Sequence, residues 1–273
     1  MYRARLNFIF IFLILSVNPL LVQAQDKIPF YLPVSSEDYP NIKHHLDAAL
    51  FAAGLGQFST ETTDYWHKYQ QGIKLGRPGI YLAAPHFVAW AQHKHDFIPL
   101  IKLESEIQYV LAARSGDIGL FEVDDLNKRA VCTQSHLNLD SILLNHSFSN
   151  PLYSAQNIVV SDVLKELRLN NKTCDAFSLA NHLFLAHNLT QPKSLIRLQQ
   201  GPLWPPYAWI IHPQLEAQRS AMIQFLRSDV VIEIMSPITR TFSDGNRLLD
   251  TDKKDYPKSL ASPLFNYWGK FER

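Results

Sequence analysis

The spacing of apolar residues changes period along this chain, and each change marks an element. Residues 28–32, IPFYL, form a short apolar run that predicts a strand. Residues 41–53 set Ile42, Leu46, Ala49 and Leu50 on one helical face, and Gly54 and Gly56 end that helix. Residues 57–60 begin a second strand, after which Thr63 or Asp64 caps a helix running to Leu75. Residues 78–82 predict a third strand, and Pro85 occupies the first turn of the next helix, where a missing N–H costs nothing.

Residues 97–113, FIPLIKLESEIQYVLAA, predict a long extended stretch. Beyond it the pattern predicts a helix at 122–127, a strand at 129–133 and a helix from about 136. A strand at 156–160, a helix at 161–169 and a strand at 174–178 follow. Residues 201–207, GPLWPPY, hold prolines that fix φ and remove donors, as a hinge-and-mouth segment would. His212-Pro213 opens a helix with Leu215, Met222, Phe225 and Leu226 on one face. Strands alternating with helices predict parallel sheets joined by crossover helices.

The first 24 residues change the picture because they read as an address. MYRAR is a basic start, LNFIFIFLILSV an apolar run, and Val22-Gln23-Ala24 a small-x-small cleavage site. The apolar run is short for a membrane span and Asn18-Pro19 interrupts it, so export with cleavage is expected, with no membrane insertion afterwards. Loss of Arg3 and Arg5 turns the formal net charge from +1 to −1 (24 basic against 25 acidic residues). That balance leaves no basic footprint for nucleic acid and no polybasic membrane patch. The 47% apolar content is enough for a sizeable core.

Residues 59–90, STETTDYWHKYQQGIKLGRPGIYLAAPHFVAW, carry the strongest family signal. Asp64-Tyr65 opening a helix, Gly76, and the Gly79 to Ala84 run resemble the phosphonate- and phosphate-type periplasmic solute-binding proteins. Asp124-Asp125-Leu126 before the 130–133 strand, Asn171-Lys172 through Cys174-Asp175-Ala176, and the PLWPPYAWIIHP run fit the same family over roughly residues 28–235. The resemblance implies an α/β, two-lobed type-2 periplasmic-binding-protein fold. Each lobe would be a parallel sheet flanked by helices, and two crossing segments would join the lobes. It divides the chain into a signal peptide at 1–24, the first part of lobe 1 at 25–104, lobe 2 at 105–200, and the return crossing, remainder of lobe 1 and tail at 201–273.

In this fold the ligand sits between lobes, at strand carboxyl ends and helix amino ends. The loop Thr133-Gln134-Ser135-His136 occupies, by resemblance, the place of the phosphonate-cradling loop, with Thr133 and Ser135 as its hydroxyl donors. The same residues read equally as an ordinary helix N-cap. Tyr65 is the closest single match, a phenol able to stack on a ligand and donate one hydrogen bond. Pro85 and His86 open the following helix beside the cleft, and Trp204 and Tyr207 wall the mouth or pack the hinge. Where relatives that take aminophosphonates carry acidic residues, this chain carries His182 and Tyr207, and Asp162 stands where an anion-facing histidine is expected. An ammonium would lose its counter-charges there and an anion would meet a carboxylate, which argues against an aminophosphonate.

Cys132 and Cys174 both fall in apolar, strand-like stretches, where export would let a disulfide persist. As neighbours in a doubly wound lobe they could bridge; their different positions along their strands favour two buried small hydrophobes instead. No G-x-S-x-G, H-E-x-x-H, P-loop or dinucleotide fingerprint occurs, so no enzyme and no cofactor is expected. Eleven histidines, with His44-His45 and His93-x-His95 as pairs, keep a metal-binding reading open, although no third ligand is fixed by spacing. The expectation is a monomeric periplasmic protein that captures a small molecule, an oxyanion among the candidates, for an ABC-type permease or a membrane sensor. The alternative is a divergent signalling or metal-binding module of the same fold.

Overall fold

A computed structural model describes residues 27–63, 66–117, 119–133, 139–145, 147–160, 163–168 and 173–268. The expected signal peptide lies outside these residues, as do Tyr65, Ser135, His136 and Asp162.

The first lobe opens with β1 (Ile28–Tyr31), α1 (Ile42–Ala52), β2 (Phe58–Glu61), α2 (Trp66–Lys74), β3 (Ile80–Ala83) and α3 (Pro85–His95). These follow the alternation read from the sequence, and the reasons are local. α1 buries Ile42, Leu46 and Leu50 on a single stripe. α3 starts on Pro85 and ends on Asp96, whose φ of 59° lies in the left-handed region that stops a helix. Gly76, at φ 64°, ends the turn after α2 where a Cβ would lie 2.5 Å from the His95 ring, so only glycine fits.

The chain then leaves this lobe. β4 (Ile98–Leu103) belongs to the first sheet and β5 (Tyr109–Arg114) to the second, so the long extended stretch is the crossing. The second lobe adds β6 (Ala130–Thr133), α4 (Leu139–Asn145), β7 (Gln156–Val159), α5 (Val163–Arg168), β8 (Ala176–Ala180), α6 (Asn181–Thr190) and β9 (Leu195–Gln200). A return through β10 (Ala208–Ile211) leads to α7 (Arg219–Leu226), α8 (Asp229–Phe242), β11 (Leu248–Asp250) and α9 (Phe265–Trp268). α8 is strongly amphipathic, with Val231, Met235, Ile238 and Phe242 buried at helical spacing.

The sheets depart from the parallel expectation. The first has strand order β11-β4-β10-β3-β1-β2, the second β7-β6-β8-β5-β9. Only the β3-β1-β2 and β7-β6-β8 triplets run parallel with their neighbours; β10 is antiparallel to β3 and β4, and β5 is antiparallel to β8 and β9. The cause is the connectivity. A strand arriving from the other lobe enters at the opposite end of the sheet from strands fed by crossover helices. The crossings also touch: Ile107 and Trp204 exchange backbone hydrogen bonds of 2.8 Å, tying outgoing and returning segments into a two-stranded hinge.

The tail completes the first lobe. β11 extends the sheet edge, and the 258–264 segment packs on α3, where Trp268 stacks on Phe87 and meets Trp90 edge-on. Tyr256 is fully buried, and its hydroxyl donates to the Pro206 carbonyl at 2.9 Å. Within the second lobe Cys132 and Cys174 form a disulfide with Cα atoms 5.7 Å apart. Strand β8 begins two residues beyond Cys174, so that cysteine lies on the turn entering the strand, and the positional argument against bridging does not apply.

Candidate functional site

A cavity of about 570 Å³ lies between the lobes. The first lobe supplies the loop after β1 (Pro33 to Tyr39), Thr63 after β2, and Pro237, Arg240 and Thr241 near the end of α8. The second lobe supplies Val159 and Val160 at the end of β7, Val163 and Leu164 on α5, Asp140 on α4, and the Ser178 to Ala180 end of β8 with Leu183 on α6. The cavity therefore sits at the carboxyl ends of the parallel strands of both sheets, where side chains and helix amino ends converge. Its size suits a small organic molecule.

The floor is polar and buried. Tyr109 lies against Asp140 and hydrogen-bonds to Tyr207; burial above all, then Tyr207 and the Asp140 charge, hold its phenol well above the ordinary tyrosine range. Asp140 stands in the first turn of α4, 1% exposed. Tyr207 itself packs on Phe242 with ring centres 4.4 Å apart. On the first-lobe wall, Ser35 donates to Asp38 Oδ2 at 2.8 Å and Thr63 donates to the Val34 carbonyl at 3.0 Å. Tyr39 meets Thr241 Oγ1 at 3.2 Å, pinning the β1–α1 loop to α8. Across the mouth His182 Nε2 on α6 donates to the Arg240 carbonyl on α8 at 3.1 Å, a hydrogen bond between lobes. Burial outweighs that bond and holds the His182 imidazole below its ordinary pKa.

The residues singled out from the sequence are distributed unevenly around this cavity. His182 borders it through its neighbour Leu183, and Tyr207 supports its floor through Tyr109. Thr133 is fully buried in the second lobe; it donates to Asn157 Oδ1 at 2.5 Å and accepts from Ser141 Oγ at 2.8 Å. Its only proton is committed there, so in this arrangement it has none for a ligand. His86 and Pro85 are buried in the first-lobe core, with the His86 ring 4.1 Å from that of Phe87. Trp204 packs on the core at the hinge.

The histidine pairs serve other ends. His44 and His45 lie on the exposed face of α1, while His93 donates to the Tyr256 carbonyl and His95 to that of Lys74. Among the described residues no group of three or more His, Cys, Asp or Glu is arranged to hold a metal ion, and no helix is long and apolar enough to cross a membrane.

Comparison with solved structures settles the architecture. PhnD1 from Prochlorococcus marinus in complex with methylphosphonate superposes with a TM-score of 0.67, covering 90% of this chain and 100% of that one at 10% identity. A binding protein component of an ABC phosphonate transporter from Pseudomonas aeruginosa gives 0.62, with 85% and 84% covered at 13% identity. The chain has the two-lobed periplasmic-binding-protein fold. The periplasmic aliphatic sulphonate binding protein SsuA from Escherichia coli shares the fold more distantly, at a TM-score of 0.51 with 88% and 92% covered and 13% identity. No protein-family model matches the sequence, and no curated protein matches it.

Within this binding-protein fold the sequence reading missed the acidic side chains that reach the cavity, Glu37, Asp38 and Asp140. Their signal was weak because carboxylates in loops and first helical turns are commonplace. Only the folded topology brings the three to one cavity.

Proposed function

We propose that the protein is an exported, periplasmic solute-binding protein without catalytic activity. It captures a small molecule between its lobes and presents it to an ABC-type permease or a membrane sensor. The observation that carries this reading is a ligand-sized cavity whose walls come from both lobes about a two-stranded hinge. A molecule touching both walls favours the closed arrangement over the open one, so binding shifts the population towards closure. Likeness in fold to transporter-associated binding proteins supports the same role. The sequence of residues 1–24 supports export to the periplasm.

The test pairs a thermal-shift screen with small-angle X-ray scattering. A ligand at 100 times its Kd adds about 2.7 kcal/mol, which moves the melt by several degrees. The reading expects at least one metabolite to raise the melting temperature and to reduce the radius of gyration. No stabilising solute in a library of oxyanions, organic acids, amines, sugars and nucleotides, or stabilisation without compaction, would refute capture by closure.

A further inference from the structure

We infer that the cavity selects a small organic cation with an aliphatic body, an inference that rests on the solute-binding reading of the same site. The first ground is charge. Glu37 and Asp38 come from the loop after β1 and Asp140 from the first turn of α4; against them Arg240 is the one cationic side chain among the described lining residues. Three carboxylates and one guanidinium give the described wall a formal charge of −2. Asp140 is buried, so its field is less screened than that of a surface carboxylate, and an anionic ligand would bring a like charge to it. A buried ammonium, by contrast, requires such a partner.

The second ground is independent of charge and concerns where protons point. A hydroxyl has a single proton to donate. Ser35 gives its proton to Asp38, Thr63 to the Val34 carbonyl, and Thr241 has the Pro237 carbonyl at 3.4 Å as an acceptor. Lone pairs are what these three hydroxyls have left to offer, so they accept rather than donate, and Arg240 is the one charged donor among the described residues of that wall. An oxyanion needs the reverse, an array of N–H and O–H donors. An ammonium, with N–H donors and no acceptor, matches it.

The third ground is the opposite wall. Val160, Val163, Leu164, Leu179 and Leu183 present aliphatic surface from the second lobe. That surface stays wet unless the ligand carries an apolar body to cover it. A bare metal ion or inorganic anion has none and would leave most of the 570 Å³ to water. The family resemblance argues against an ammonium, because it puts His182 and Tyr207 where acidic residues are expected. The structure supplies the counter-charges from other positions.

Three probes of one carbon skeleton test this on the protein purified after export: pentylamine, pentanoate and pentylphosphonate, each followed by melting temperature and by saturation-transfer NMR. The expected result is a response to pentylamine that exceeds the responses to both anions at equal concentration. Glu37→Gln with Asp38→Asn, two changes at positions that are not in the core, should weaken pentylamine about tenfold, while Arg240→Gln leaves it equal or stronger. Asp140→Asn should abolish it; because Asp140 is buried, the loop pair carries the test where that variant does not fold. Preference for either anion, lost in Arg240→Gln, overturns the inference while leaving solute capture intact. Silence for all three probes overturns it too, and the library screen with scattering then decides separately whether the site captures any solute.

Discussion

The disulfide offers the sharpest quantitative check on the second lobe. Cys132 and Cys174 are 42 residues apart, and cross-linking removes loop-closure entropy from the unfolded chain. A closed loop of that length corresponds to about 4 kcal/mol at 25 °C on the chain-entropy account. For a chain of this size, that loss lowers the melting temperature by about 8–16 °C. Both sulfurs lie in an apolar cluster with Val110, Phe177, Leu179 and Phe184, so trimming each to alanine adds a smaller packing cost. The informative design is a mutant cycle of Cys132→Ala, Cys174→Ala and the double variant, melted in urea and by heat. Either single substitution removes the whole cross-link, so the two singles and the double should be destabilised almost equally, with a coupling of about 3–4 kcal/mol. Two unconnected buried cysteines would instead give small costs that add. Additivity within about 0.5 kcal/mol, in protein prepared and melted under oxidising conditions, would refute the bridge and the register of β6 with the turn before β8.

Other outcomes follow from individual contacts. Thr133→Val should cost about 1–3 kcal/mol in urea melts by stranding Asn157 and Ser141, yet leave solute binding unchanged; selective loss of binding would restore Thr133 as a ligand contact. Tyr69, Tyr81, Tyr109 and Tyr256 all have phenols raised by burial, so the folded state resists their ionisation. Their contribution is complete below the unfolded tyrosine value near pH 10 and is lost as pH rises beyond it, so tyrosinate absorbance from these rings should appear together with loss of near-UV circular dichroism. His182→Ala removes the hydrogen bond between α6 and α8, worth about 1 kcal/mol, and should shift the solute-free ensemble about fivefold towards open forms; unchanged scattering would refute a latch at that position. Tyr256→Phe strands the Pro206 carbonyl and should lower stability by about 1–2 kcal/mol, measurable as a shift in urea midpoint at constant slope.

Much of the architecture was legible because most elements are bounded by strong local signals. Gly54 after α1, Pro85 at the start of α3 and the apolar 97–113 stretch each produce the element expected of them. What escaped notice lacked such signals. Helix α6 spreads apolar residues around its circumference, burying Phe184 while Leu185 and Leu189 stay exposed, so no periodic face marks it. Strand β9 is an edge strand ending in Leu-Gln-Gln and carries only weak alternation. The antiparallel course of β5 and β10 is a property of connectivity, which residue spacing does not encode. The site was less legible still. Aromatic and histidine residues drew attention as versatile ligand contacts, yet His86 and Trp204 are used in packing. Asp38 and Asp140, ordinary as letters in a loop and a first turn, meet only because one lobe folds back over the other.

The two sheets also differ in how much chain each must wait for. Every strand of the second sheet comes from one continuous stretch, from Tyr109 to Gln200. The first sheet takes strands from Ile28 through Asp250, and its α3 face is covered by residues beyond 258. Closing that span carries a larger entropic cost before any contact rewards it. During vectorial emergence the second lobe can therefore collapse and oxidise its cysteines as soon as its own residues are available, while the first stays an incomplete half with exposed strand edges. The segments that follow Gln200 are the ones that cover this sheet, so their arrival ends its vulnerability to aggregation and proteolysis.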